Sequence, residues 1–102
     1  MNPQYAVIAA SSSGDNAIVA AVTGKRIRVL AYALVANAAV NAKWRSASTD
    51  ITGLLYLAAN GGVAAGFEGM GCFQTAAGEA LNLNLSGAVA VGGHLTYVLI
   101  DG

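Results

Sequence analysis

At 102 residues the chain has room for one domain with a modest core. It is 56% apolar and only 10% charged, against about 45–50% and about 25% in ordinary soluble domains, so much of its surface is expected to be covered by partners. Zero net charge and a pI near 6.5 exclude the global field that draws proteins to nucleic acid or acidic membranes, and the lone Cys72 excludes an intrachain disulfide, leaving the compartment reducing or irrelevant.

In chain order, Tyr5 to Ala10 reads as a short strand or an ordered arm, followed by the polar corner Ser11 to Asn16. Residues 1–15 are expected to form this arm and 16–102 the folded body. Ala17 to Val22 reads as a strand, Thr23-Gly24-Lys25 as a turn, and Ile27 to Val35 as the longest strand. Asn37 sits in a tight connection and suits a left-handed backbone. Val40 to Ser46 alternates, with Val40, Ala42 and Trp44 on one side and Asn41, Lys43 and Arg45 on the other. Pairing these two strands as a hairpin sets Val35 opposite Val40 and Ala31 opposite Trp44. One side then carries Ile27, Val29, Val40 and Trp44 as the core. The other carries Leu30, Tyr32 and Leu34 with Arg28, Lys43 and Arg45, an apolar strip edged by cations that suits a subunit interface.

Further along, Ile51 to Leu57 reads as a strand, Asn60-Gly61-Gly62 as a turn, Gly66 to Gly71 as a Gly-rich bend and Cys72 to Thr75 as a short strand. Ala80 to Ser86 alternates Leu81, Leu83 and Leu85 against Asn82, Asn84 and Ser86, and Gly92-Gly93 introduces a last strand, His94 to Ile100. Several strands are apolar on both faces, and such a strand needs two covers, the chain's own second sheet and an identical subunit. The expected fold is all-β, a compact eight-stranded jelly-roll-like antiparallel sandwich that oligomerises, most simply as a trimer. The longest apolar stretches fall short of the roughly 18 residues of a membrane span, and the opening Met1-Asn2-Pro3-Gln4 lacks a basic leader, so a soluble protein outside the general secretory route is expected.

No constellation of residues spells out chemistry. One histidine, His94, and one cysteine, Cys72, are too few for a structural zinc site; they read as a strand-entry residue and a small buried filler. Asp15, Asp50, Glu68, Glu79 and Asp101 each fall in or beside a corner, with no pairing for acid–base work. Gly66-Phe67-Glu68-Gly69-Met70-Gly71 has the wrong order for a dinucleotide fingerprint and lacks the Lys-Ser/Thr of a P-loop. All five cations, Lys25, Arg26, Arg28, Lys43 and Arg45, are expected to pair across subunits with Glu68, Glu79 or Asp50 rather than with nucleic acid. No enzyme, cofactor or metal is expected.

The segments Thr23 to Leu30, Lys43 to Ser46 with Thr49 to Gly53, Leu57 to Gly62, and Glu79 to Leu85 with Gly93 to Tyr97 together resemble a group of short β-sandwich virion proteins of tailed bacteriophages. The resemblance spans roughly residues 16 to 100 and lies in strand-and-turn patterns. It implies a capsid decoration or cement protein, commonly a trimer of jelly-roll-like subunits, made in the host cytoplasm. Such a protein sits on the outer virion surface, bound to the major capsid protein. The residue 1–14 arm is then the candidate anchor. The alternative is a receptor- or carbohydrate-binding sandwich of a phage tail, using Tyr56, Phe67, Phe73 or Tyr97 as stacking platforms.

Overall fold

Alternating residues put every second side chain of a strand on the same face, and this chain uses that rule to build two antiparallel sheets that close on one core. A computed structural model of the chain describes residues 2–67 and 70–102. Met1, Glu68 and Gly69 lie outside the described residues, as do the centre of the Gly-rich bend and the expected pairing of Glu68 with a cation. Among the described residues there are ten strands and no helix. These are β1 (Gln4–Ala10), β2 (Gly14–Val19), β3 (Lys25–Ala36), β4 (Val40–Ser46), β5 (Thr49–Asp50), β6 (Leu55–Leu57), β7 (Gly62–Ala65), β8 (Phe73–Gln74), β9 (Leu81–Leu85) and β10 (Val91–Asp101).

The first sheet runs β1-β10-β3-β7, with β8 also on β3, and the second runs β2-β9-β4-β5, with β6 also on β4. The pairing is nested: β1 with β10, β2 with β9, β3 with β7 and β8, β4 with β5 and β6. All pairs are antiparallel. The inner faces supply the core, including Ile8, Ile27, Val29, Tyr32, Leu34, Trp44, Leu81, Leu83, Leu85 and Leu95. Tyr32, Trp44 and Phe73 meet there edge to face or tilted, with ring centroids 5.5 to 5.9 Å apart. The alternation expected in β9 holds, with Leu81, Leu83 and Leu85 buried and Asn82 and Asn84 partly exposed.

Four sequence expectations are corrected. First, β3 and β4 do not form a hairpin: they belong to opposite sheets, and 37–39 carries the chain across the sandwich. Trp44 still shares the core with Ile27, Val29 and Val40, as expected, but Ile27 and Val29 come to it from the opposite sheet. Second, the register of β3 on β10 slips between Thr96 and Tyr97, with Tyr97 opposite Val29 and Thr96 opposite Ala31, so that Leu30 is an extra residue in a bulge. The bulge switches the parity of the strand. Ile27 and Val29 face inward before it, and Tyr32, Leu34 and Ala36 face inward after it. Tyr32 and Leu34 are therefore only 8% and 1% exposed, and Leu30 is fully buried.

Third, the amino-terminal arm is not outside the sandwich. All seven residues of β1 pair with β10, and Ile8 and Ala10 are in the core, while β2 begins at Gly14 rather than at residue 17. Fourth, the expected Ile51–Leu57 strand is reduced to β6 at its end, with 51–54 a loop and the short β5 falling before it, β7 is an element that the turn-rich sequence hid, and Gly92-Gly93 lies inside β10. Among the described non-glycine residues the left-handed backbone positions are Ala47 and Asn60 rather than Asn37, with Gly24 at φ 75° serving the expected 23–25 turn.

Candidate binding face

Directly opposed residues in a sheet share a face, so the registers define what each sheet shows to the outside. On the second sheet one outer row is Asp15, Asn84 and Lys43, and the next is Ala17, Asn82, Arg45 and Asp50. This is a closed polar network. Lys43 Nζ donates to Asp50 Oδ2 at 3.1 Å, Arg45 Nη1 to Asp15 Oδ1 at 3.3 Å, and Asn84 Nδ2 to Asp15 Oδ1 at 2.8 Å. Arg45 Nε lies 2.9 Å from Asp50 Oδ1, an ion pair without hydrogen-bond alignment. The hydrogen bond from Lys43, joined by the charges of Lys43 and Arg45, holds the Asp50 carboxyl below its ordinary pKa.

The outer face of the first sheet is the opposite in character. On the Ala31–Val35 side of the bulge its rows are Tyr5, Thr96 and Ala31; Val7, His94, Ala33 and Ala64; and Ala9, Gly92, Val35 and Gly62, while on the far side Arg28 stands opposite Val98 and Arg26 opposite Ile100. Tyr5, Val7 and Val35 are 81%, 75% and 52% exposed. The eleven positions of the three rows carry no acid and, apart from His94, no base. A contiguous apolar surface of this kind marks an interaction site, whereas singly scattered apolar residues do not. At the Ala9, Gly92, Val35 end it runs into an open depression of about 480 Å³ that also borders Ser11, Asn37 and Asn60.

The six residues expected to form a subunit interface are not brought together. Leu30, Tyr32 and Leu34 are interior. Arg28 lies on the first sheet, where its Nε and Nη2 donate to Gln74 Oε1 at 3.0 and 2.9 Å. Lys43 and Arg45 lie on the second sheet and are neutralised within the chain by Asp50 and Asp15, and Lys25 pairs with Asp101. His94 stands exposed between Val7 and Ala33 within β10, not at the entry of the strand. Cys72 is exposed rather than a buried filler, its thiol directed at the Leu30 carbonyl oxygen. Of the aromatic platforms, Tyr56 and Phe67 are exposed, while Phe73 and Tyr97 pack against the core. Among the described residues no three His, Cys, Asp or Glu side chains group as metal ligands.

A second polar feature was not legible in the sequence. Buried Ser46 donates its hydroxyl to Glu79 and accepts from the Ala76 amide at 2.9 Å, and buried Thr75 Oγ1 accepts from the Ile27 amide at 2.9 Å. The two hydroxyls tie the segment after β8 across the open side of the sandwich, linking the sheets where the backbone ladder ends. Inside, burial raises the Tyr32 pKa, opposed by the polar edge of the neighbouring Trp44 indole, whose buried Nε1 has no well-formed hydrogen-bond partner among the described residues.

The chain matches no protein-family model, no curated protein and no solved structure.

Proposed function

We propose that this chain is a virion structural protein of a tailed bacteriophage, of the capsid decoration or cement type, which self-associates and binds the outer surface of the head through the major capsid protein. The observation that carries the reading is the contrast between the two outer faces: one is a closed ion-paired network, the other holds an apolar patch, from Tyr5 and Val7 across to Val35 and Ala64, that has no acid and His94 as its one base. A surface of the second kind suits assembly, because covering it removes apolar area from water at little cost in charge desolvation. The nested strand order, in which the two ends of the chain pair first and inner segments pair within them, supports reading the sandwich as a jelly roll. The resemblance to short phage virion proteins adds to it. The trimer expected from an exposed Leu30–Tyr32–Leu34 strip loses its motive, since those residues are interior, and so does the residue 1–14 arm as a free anchor.

Mixing the purified protein with undecorated phage heads and pelleting the shells tests the reading. Saturable cosedimentation is expected, and its absence refutes the capsid assignment. The exposed rings of Tyr56 and Phe67 favour the tail receptor- or carbohydrate-binding module as the second reading, which predicts binding on a glycan array that Tyr56→Ala abolishes.

A further inference from the structure

We infer that the free edge of β1 is where the chain pairs with itself: β1 of a second copy runs antiparallel along it, about a two-fold axis that stands perpendicular to the first sheet at Val7. This gives the self-association in the reading above its geometry and rests on that part of the reading alone.

An edge strand turns every second N–H and C=O away from its sheet, and another extended strand is what satisfies such a row. Among the described residues, three of the four sheet edges are blunted. The far edge of the first sheet is β7 and β8, four and two residues long. One edge of the second sheet is β5 and β6, two and three residues long, with Asp50 in the ladder. The other is β2, which holds Asp15, is irregular between Ala17 and Val19, and folds its Asn16 amide back to donate to the carbonyl oxygens of Ser12 and Gly14. β1 has none of these devices. Its seven residues pair with β10 in unbroken register, carry no charge, and among the described residues make no backbone–backbone hydrogen bond outside that ladder.

The order of side chains in β1 shows which strand fits. Antiparallel pairing centred on Val7 sets Gln4 opposite Ala10, Tyr5 opposite Ala9 and Ala6 opposite Ile8, so every large residue beside the axis meets an alanine and the whole strand is used. Centring on Ala6 places Tyr5 against Val7 and Gln4 against Ile8, and centring on Ile8 draws in Ser11 and Ser12 of the corner. No charge on the strand opposes its meeting itself. With one such edge per chain the pairing closes as a dimer and does not run on into a fibre. A two-fold perpendicular to the sheet keeps both outer faces on one side. The two first sheets become one, in the order β7-β3-β10-β1-β1-β10-β3-β7, and the two apolar patches join through Tyr5, Val7 and Ala9.

Position 7 is the decisive one, since the axis sets it opposite itself. Val7 is 75% exposed, so a charged residue there leaves the subunit folded, while like charges directly opposite work against the pairing. Light scattering of the native protein at ~100 µM is expected to give twice the 10.2 kDa chain mass. Val7→Lys and Val7→Glu, each alone, are expected to keep native far-ultraviolet circular dichroism and weaken association by ~10-fold or more, and an equimolar mixture of the two to restore the dimer. Val35→Lys, on the same outer face but two strands in from the edge, is expected to remain a dimer. Amide hydrogen exchange of the native protein needs no variant: protection that grows with protein concentration is expected in β1 and not in β7. A native monomer, or any mass other than two chains, overturns the inference. So do charge variants that stay dimeric, a mixture that stays monomeric, and exchange in β1 that ignores concentration. Loss of the dimer in Val35→Lys does the same by placing the contact on the face of the sheet. Cosedimentation with heads is read separately: a monomer that decorates heads refutes the pairing alone, and a dimer that never cosediments refutes the capsid assignment alone.

Discussion

Truncating Leu34 tests the parity switch in β3. Leu34 is 1% exposed and sits in an inner row between Gly93 and Val63, whereas its neighbour Val35 is 52% exposed on the outer face. Leu34→Ala removes three carbons, about 2.4 kcal/mol of transfer free energy at about 0.8 kcal/mol each. The row is pinned by backbone ladders on both sides, so the site collapses poorly and a residual cavity brings the cost to about 3–4 kcal/mol. With a urea m-value of about 1.5 kcal/mol/M the midpoint falls by about 2 M. Val35→Thr should move it by no more than about 0.5 kcal/mol. Urea titrations followed by tryptophan fluorescence read the fold around Trp44 directly, and repeating them at tenfold higher concentration separates any contribution from association. Equal shifts for the two variants, or a larger one for Val35→Thr, would refute the bulge at Leu30 and restore uninterrupted alternation from Ile27.

Leu83→Asp should leave the protein unfolded, because it buries an unpaired carboxylate among Trp44, Leu81 and Leu85 at a cost of several kcal/mol. Asn84→Asp should lower the melting temperature slightly, since it replaces the amide that donates to Asp15 with a like charge; circular dichroism melts compare the two. Deleting residues 2–10 should abolish cooperative unfolding, because it strips a seven-residue strand from β10 and takes Ile8 and Ala10 out of the core; a sharp native-like melt of the truncated protein would contradict this. The Asp50 carboxyl has its pKa lowered in the folded protein, so its contribution is present above the ordinary carboxylate range near pH ~4 and is lost as pH falls through the lowered value. Asp50→Asn should therefore flatten the acid limb of a stability–pH curve and leave its neutral-to-alkaline part unchanged in shape. The raised pKa of Tyr32 acts at the other end: stability falls above pH ~10, where the unfolded tyrosine ionises first.

The sequence by itself determined the all-β class, because Gly and β-branched residues interrupt every Ala-rich stretch before a helical period develops. It also determined the faces of β4 and β9. There polar and apolar residues strictly alternate, so only one face can be buried: Trp44 and Ala42 in β4, and the three leucines in β9. The candidate face was not legible. Residues 29 to 36 are apolar in both parities, so alternation could not choose between Leu30–Tyr32–Leu34 and Ala31–Ala33–Val35. The choice was made by a one-residue bulge against β10, a strand more than fifty residues away in sequence. The same long-range pairing gathered Tyr5, Val7, His94, Val35 and Ala64 from four strands onto one surface, and it set β3 and β4 in different sheets although only three residues separate them. Local pattern records which residues can share a face; which face meets water is decided by the strands that come to lie alongside, and those neighbours exist only once the chain has closed on itself.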